Sequence, residues 1–378
     1  MLGATLRDRG RIDSVLQTFL PKPLRSAPAP ARALLRLGAA QSWLLQTPSH
    51  AVVSEAVVTA KAWDEAERSS SFINAVLRRV VEAQDVFDAT PILKNWPEWL
   101  LKDFQSGIGN EAAERLLRVQ QRQPEIHLTP KTLTAQELAA EVGGQPIGLG
   151  SVAIPTQSVE SVPGFKSGIW WVQDAAASLP AKLLSPKPGE RIADICAAPG
   201  GKTMQLIAAG AAVTAVDRSR PRLARLKANL DRVQLSAADI IESKAEAWNP
   251  SAAFDKILLD APCSALGTLR RHPEGAWNKS QNDIAGFPSV QSRLLRSALG
   301  HLKPGGSLIY CVCSPRPVEG RDVINATLQE LNVSRRPFQA NELGPFSSAI
   351  TAEGDLLTIP DSEFQHDAFF ISRLFQHA

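Results

Sequence analysis

Residues 191–217 read RIADICAAPGGKTMQLIAAGAAVTAVD, and this stretch decides the fold. RIADIC is a short apolar run of the kind that forms a buried strand. AAPGG is a turn, KTMQLIAAG has helical spacing and ends at Gly210, and AAVTAVD is a second strand. The alternation continues downstream. RPRLARLKANLDRV is a basic amphipathic helix, FDKILLD another buried strand, VQSRLLRSALGHL a helix, and GGSLIYCVC a strand. Strand, turn, helix and strand in repetition specify an α/β domain with a doubly wound parallel sheet, expected over residues 166–378.

Upstream the pattern differs. Residues 1–90 are predicted as an all-α domain, with apolar residues at helical spacing in ARALLRLGAAQSWLL, AVVSEAVVTAKAW and SSFINAVLRRVVEA. Pro91 and Pro97 punctuate the chain. Residues 91–165 mix short helical pieces with β-like EIHLT and SVAIP, so a small α+β subdomain is expected there. At 378 residues and 44% hydrophobic content the chain is long enough for two or three cored domains. No apolar run is long enough to span a membrane, and MLGATLRDRGRID has no apolar stretch after its charges, so a cytoplasmic protein is expected. Four clustered cysteines argue against a disulfide framework, and without a Cys-x-x-Cys pair no metal site is expected. A net charge of +3 permits a polyanionic partner without requiring one.

In a doubly wound sheet ligands sit beyond the carboxyl ends of the strands, so AAPGG and Asp217 address one crevice. The small residues let backbone approach a ligand, and the helix that follows offers free N–H groups. Asp217, 16 residues beyond Gly201, ends its strand where a carboxylate can accept bonds from ribose hydroxyls. A phosphate-binding loop ending in Gly201-Lys202-Thr203 would need glycine at Cys196, and APGGKT does not supply a dinucleotide fingerprint. What remains is a nucleoside cofactor without a pyrophosphate, of which S-adenosylmethionine is the usual one. The same residues also suit an ordinary tight strand-to-helix turn.

Asp260, Pro262 and Cys263 follow the strand KILLD, and Cys311 and Cys313 end SLIYCVC. Cys263 and Cys313 are 50 residues apart, yet both strands deliver their ends to the same crevice, where the two thiols can face one bound base. Cys311 lies deeper and reads as core, and Cys196 as packing. On spacing alone, a crevice cysteine is as readily a buried filler as a reactive group.

DICAAPGGKT, AVD, LLDAPCSALGTLRRHPE and YCVCSPRPVEG, in that order, resemble the successive motifs of the RNA cytosine-5 methyltransferases of the RsmB and Nop/Sun group. FINAVLRRV and WPEWLLKDF extend the resemblance over nearly the whole chain. It implies a Rossmann-like methyltransferase domain preceded by a NusB-like RNA-binding domain. It also implies methyl transfer from S-adenosylmethionine to C5 of a cytosine, with small-subunit ribosomal RNA as the expected partner. A monomer is expected. The catalytic set implied is Cys313, which adds to C6, Cys263, which assists loss of the C5 proton, Asp260 on the N3/N4 edge of the base, and Lys202. The implied cofactor set is Cys196, Ala197, Ala198, Pro199, Gly200, Gly201, Lys202, Asp217, Arg222 and Asp260. A base inside a helix cannot reach such a crevice, so the target is single-stranded or flipped out. Arg270, Arg271 and His272 are then expected at the crevice mouth, meeting phosphates. Gln173 and Asp174 are expected to cap the helix that opens the catalytic domain.

The chain departs from the group's pattern in three places. Val312 stands where threonine usually precedes the nucleophile. Lys244 stands where an acidic residue usually reaches the adenine side of the cofactor. The NusB-like portion resembles that module without its opening helices. Transfer RNA is an alternative target, and a non-catalytic RNA-binding assembly factor is an alternative of another class. The joint presence of Cys313, Cys263, Asp260 and Lys202 argues against the latter.

Overall fold

The computed structural model describes residues 1–377, which fall into two compact units. One comprises residues 1–103, 120–122 and 269–278, and the other comprises 104–119, 123–268 and 279–377. Among the described residues no helix is long and apolar enough to cross a membrane.

The first unit is helical. Helices Arg9–Thr18, Ala29–Trp43, Ser49–Ala62 and Ser70–Val80 turn apolar stripes inward, and Ile12, Leu16, Leu35, Ala39, Ile73 and Leu77 form a core with no solvent access. The Trp43 ring stacks on Phe87 at 4.9 Å, and its indole N–H donates to the Val80 carbonyl, so the large ring is buried with its one polar atom satisfied.

The second unit contains two sheets. A four-stranded antiparallel sheet has the order β2-β3-β1-β4, built from β1 (Ile126–Pro130), β2 (Gln145–Ile147), β3 (Ser151–Ile154) and β4 (Trp170–Val172). Its apolar face packs on helix Ala135–Val142 through Leu128, Leu138, Val152 and Trp170.

The larger sheet has β5 (Arg191–Ile195), β6 (Ala212–Asp217), β7 (Asp239–Glu242), β8 (Phe254–Asp260), β9 (Leu302–Val312), β10 (Val333–Arg335), β11 (Leu356–Thr358) and β12 (Phe369–Gln376). Its order is β10-β12-β9-β8-β5-β6-β7, with β11 paired to β12. Strands β5 to β9 are parallel to their neighbours, and β12 runs antiparallel to β9. The expected doubly wound sheet is therefore present, with an antiparallel edge added. Ile257, Leu258 and Leu259 are all fully buried, as a strand covered on both faces requires, and alternate between the two cores. Burying each such side chain stabilises the fold by about 1.5–3 kcal/mol.

This order fixes where a ligand can go. The chain leaves β5 outward to β6 and β7, then returns past β5 to β8 and β9, so the winding reverses between β5 and β8. The loops following these two strands diverge there and open a crevice at the carboxyl ends.

Candidate active site

The turn after β5 forms the first wall. Cys196 adopts φ +63° and Gly200 φ +106°, and the helix Gly201–Ala208 starts directly after. Gly200 is required twice over: its φ lies in the left-handed region, and a Cβ would sit 3.1 Å from Leu226 Cγ. Ala197, Ala198 and Lys202 are buried, while Pro199 is exposed.

Asp217, at the end of β6, is buried. Its Oδ2 accepts from the Ala198 N–H at 3.3 Å and lies 3.3 Å from Arg222 Nη1, and its Oδ1 accepts from the Ser219 N–H at 2.9 Å. Arg222 also donates to the Ala198 carbonyl, so turn, carboxylate and guanidinium form one unit. The small residues, the glycine in the left-handed region, the helix N-terminus and a strand-end carboxylate fit a nucleoside cofactor. Lys244, beyond the end of β7, is exposed, as are Glu242, the last residue of that strand, and Glu246.

At the end of β8 the Asp260 carboxylate takes the Lys202 ammonium at 2.7 Å. Burial alone would lower the Lys202 pKa, but the charge of Asp260 outweighs it and holds the amine protonated. Lys202 also lies 5.4 Å from the centre of the Phe369 ring. Beneath the pair, Asp194 on β5 is fully buried and accepts from Thr203 Oγ1 at 2.6 Å. Burial raises its pKa to about 7, against the hydrogen bond from Thr203 and the charge of Lys202, which lower it. Cys311 lies in the core, its thiol 3.5 Å from Asp260 Oδ1. Burial first and the carboxylate second hold its pKa well above the ordinary value. Cys196 is pushed up to about 12, by burial foremost and then by Asp260 and Asp217.

Cys263 and Cys313 are brought together, with their sulfurs 3.3 Å apart. Each lies just beyond the end of one of two adjacent parallel strands, and neither is fully buried. The Cys263 thiol is held well above its usual value, first by its hydrogen bond with Cys313 and then by burial. Lys202, read as a source of positive charge for Cys313, has its ammonium on Asp260. Val312 is fully buried in the core, at the position before Cys313.

Two readings need correction. Arg270 is fully buried and so has no face to offer a phosphate; its carbonyl accepts from Arg7 Nη2 at 3.1 Å. Arg271 is half-buried and His272 is exposed, with its Nδ1 3.3 Å from Glu274. All three belong to the helical unit, because residues 269–278 pack with the N-terminal helices. Second, Gln173 and Asp174 do not cap a helix. A turn intervenes before the helix Leu179–Leu183, whose N-cap is Ser178. The Gln173 side chain instead joins Trp171 Nε1 at 2.8 Å to Gln205 at 2.7 Å, and Asp174 Oδ1 accepts from the N–H groups of Ala176 and Asp367.

Sequence reasoning missed Glu319, Gln291, Ser264, Ser314 and Asp194. Glu319 is fully buried between the two cysteine-bearing loops. The serine following each crevice cysteine was a visible signal, and so was a carboxylate within SPRPVEG.

Residues 181–375 match the family model described as 16S rRNA methyltransferase RsmB/F, and residues 1–82 match the NusB family. The chain is 35% identical to the ribosomal RNA small subunit methyltransferase B of Vibrio vulnificus, across 85% of this chain and 80% of that protein. Identity to the same-named protein of Pseudomonas putida is 33%, across 99% of this chain and 88% of that one. A methyltransferase homolog from Pyrococcus horikoshii superposes with a TM-score of 0.61 at 27% identity, covering 76% of this chain and 96% of that chain. Crevice and matches agree, and the chain belongs to the 16S rRNA methyltransferase RsmB/F family.

Proposed function

We propose that this methyltransferase modifies C5 of a cytosine in small-subunit ribosomal RNA through a covalent bond from Cys313 to C6. The observation that carries the reading is the pair of thiols 3.3 Å apart beside the Asp260–Lys202 ion pair. The turn Cys196–Gly201, together with Asp217 and Arg222, would hold S-adenosylmethionine. Bound there, it supplies an electrophilic methyl group.

The remaining chemistry belongs to the chain. Cytosine C5 is a weak nucleophile until a thiolate adds to C6 and converts the C5–C6 bond into an enamine. Cys313 adds, while Asp260, its charge balanced by Lys202, holds the N3/N4 edge as charge develops on the ring. Once C5 carries the methyl group, its proton must leave so that the C6–sulfur bond can break and Cys313 depart as thiolate. Cys263 assists that loss, since a thiol held above its ordinary pKa gives, once ionised, a stronger base than an ordinary cysteine. Residues 1–90 and 91–165 serve as RNA-facing modules, with Arg271 and His272 as phosphate contacts, and the protein works as a cytoplasmic monomer.

Bisulfite sequencing of unmodified small-subunit RNA, incubated with the protein and S-adenosylmethionine, tests the reading. One newly protected cytosine is expected, absent with Cys313→Ala, while Cys263→Ala accumulates a denaturation-resistant protein–RNA adduct. Protection that survives Cys313→Ala would sink the assignment of the nucleophile, and protection confined to transfer RNA would sink the assignment of the substrate.

A further inference from the structure

Two Cys-Ser dipeptides lie side by side in the crevice. Cys263-Ser264 follows β8, and Cys313-Ser314 follows β9. The sulfurs are 3.3 Å apart and the hydroxyl oxygens 3.2 Å apart. Behind them lies the Glu319 carboxylate, with no solvent access. Its Oε2 accepts from the Ser264 N–H at 2.7 Å and from Gln291 Nε2 at 3.2 Å, and its Oε1 accepts from Ser314 Oγ and Arg316 Nη1, each at 3.1 Å. The same Gln291 nitrogen donates to the carbonyl of Pro262 at 3.0 Å, just before Cys263. Tyr310, three residues before Cys313, donates its hydroxyl to the Glu319 carbonyl at 2.6 Å.

We propose that Glu319 is a positioning residue: its carboxylate clamps the two loops together and thereby sets the distance between the two reactive thiols. The inference rests on the function proposed above and deepens it. Burying a carboxylate is costly, and apolar packing would stabilise the same space at least as well, so stability alone does not explain the group. Its bonds go to the residue after each cysteine, and through Gln291 to the residue before one of them. Holding those loops in register is what the covalent chemistry needs. One thiol must reach C6 while the other serves C5 of the same ring, and a misplacement of about 1 Å costs on the order of a hundredfold in rate.

The test has a readout that needs no RNA. Cys263 and Cys313 react with oxidised glutathione to give one intramolecular disulfide and two molecules of reduced glutathione. The equilibrium ratio therefore measures the effective concentration of one thiol at the other. Glu319→Gln and Ser314→Ala are each expected to lower that concentration about tenfold, and to lower kcat about tenfold or more, with KM for RNA and affinity for S-adenosylmethionine within about twofold. Leu374→Ala, a buried change on β12, controls for loss of stability and is expected to leave both readouts in place. Should Glu319→Gln fail to fold, Ser314→Ala decides. The proposal is overturned if the variants keep the wild-type thiol equilibrium, or if Leu374→Ala disturbs it equally. A shifted equilibrium in a protein that methylates no RNA would sustain the clamp while removing the proposed function.

Discussion

Asp194 shows how a single side chain can tie the site to pH. Its carboxyl is fully buried on β5, beside Leu258 and two residues short of the level of Asp260 on β8, and burial, partly offset by Thr203 and Lys202, raises its pKa from the ordinary 3.8 to about 7. Asp260, Asp217, Cys196 and Cys311 surround it with further negative or ionisable groups. Because the folded-state value is the higher one, the native protein keeps a proton that the unfolded chain loses as pH rises from about 4 to about 7, and stability falls across that window. Asp194→Asn cannot titrate, yet its amide oxygen can still accept from Thr203. Melting temperatures at about pH 5 and about pH 8 should show the wild type losing more than the variant. Equal losses would mean that Asp194 carries its charge unopposed at both values.

Among elements, the loops beyond β8 and β9 are joined through backbone as well as through side chains. The Gly267 N–H donates to the Cys313 carbonyl at 3.0 Å, and its own carbonyl accepts from the Ala368 N–H at 2.9 Å, just ahead of β12. A Cβ on Gly267 would lie 2.0 Å from the Ala368 oxygen and 2.9 Å from the Cys313 oxygen. Gly267→Ala must therefore push apart three segments that meet beside the nucleophile. We expect a loss of about 1–3 kcal/mol by denaturant titration, and a loss of turnover larger than any change in S-adenosylmethionine affinity. An unchanged kcat would show that the carbonyl of Cys313 has no part in placing its sulfur. Such a residue was not legible in advance. Nothing local distinguishes the glycine in SALGTL; its necessity comes from Ala368, a hundred residues further on. The strands of the doubly wound core were legible because a strand covered on both faces is an unbroken apolar run, as in KILLD and SLIYCVC. The edge pairing of β12 on β9 was not, since it leaves no short-range mark.

At the scale of the molecule, the chain crosses between its two units within the very loop that follows Cys263. Residues up to Thr268 belong to the methyltransferase unit, and 269–278 belong with the N-terminal helices. There Arg7 donates to the Arg270 carbonyl, and the Arg9 guanidinium lies 4.4 Å from the centre of the Trp277 ring. Charge and motif suggested RNA contacts for Arg270 because a sequence gives the side chain but not its burial. The segment instead packs within the helical unit, and the backbone that leads into it is anchored at Gly267 on the Cys313 carbonyl. A chain beginning at residue 104 loses the partners of 269–278 while keeping every crevice residue. Leu269, Arg270 and Ala276, all buried in the intact protein, should then become accessible. Trypsin gives the direct measurement. Cleavage after Arg270 or Arg271 should be slow in the full chain and fast in the fragment, with turnover in the fragment falling further than its RNA affinity. If the fragment resists trypsin at both arginines and keeps its kcat, the helical unit contributes RNA surface only. Cleavage together with lost turnover would mean that the N-terminal helices also hold in place the loop on which the second cysteine stands.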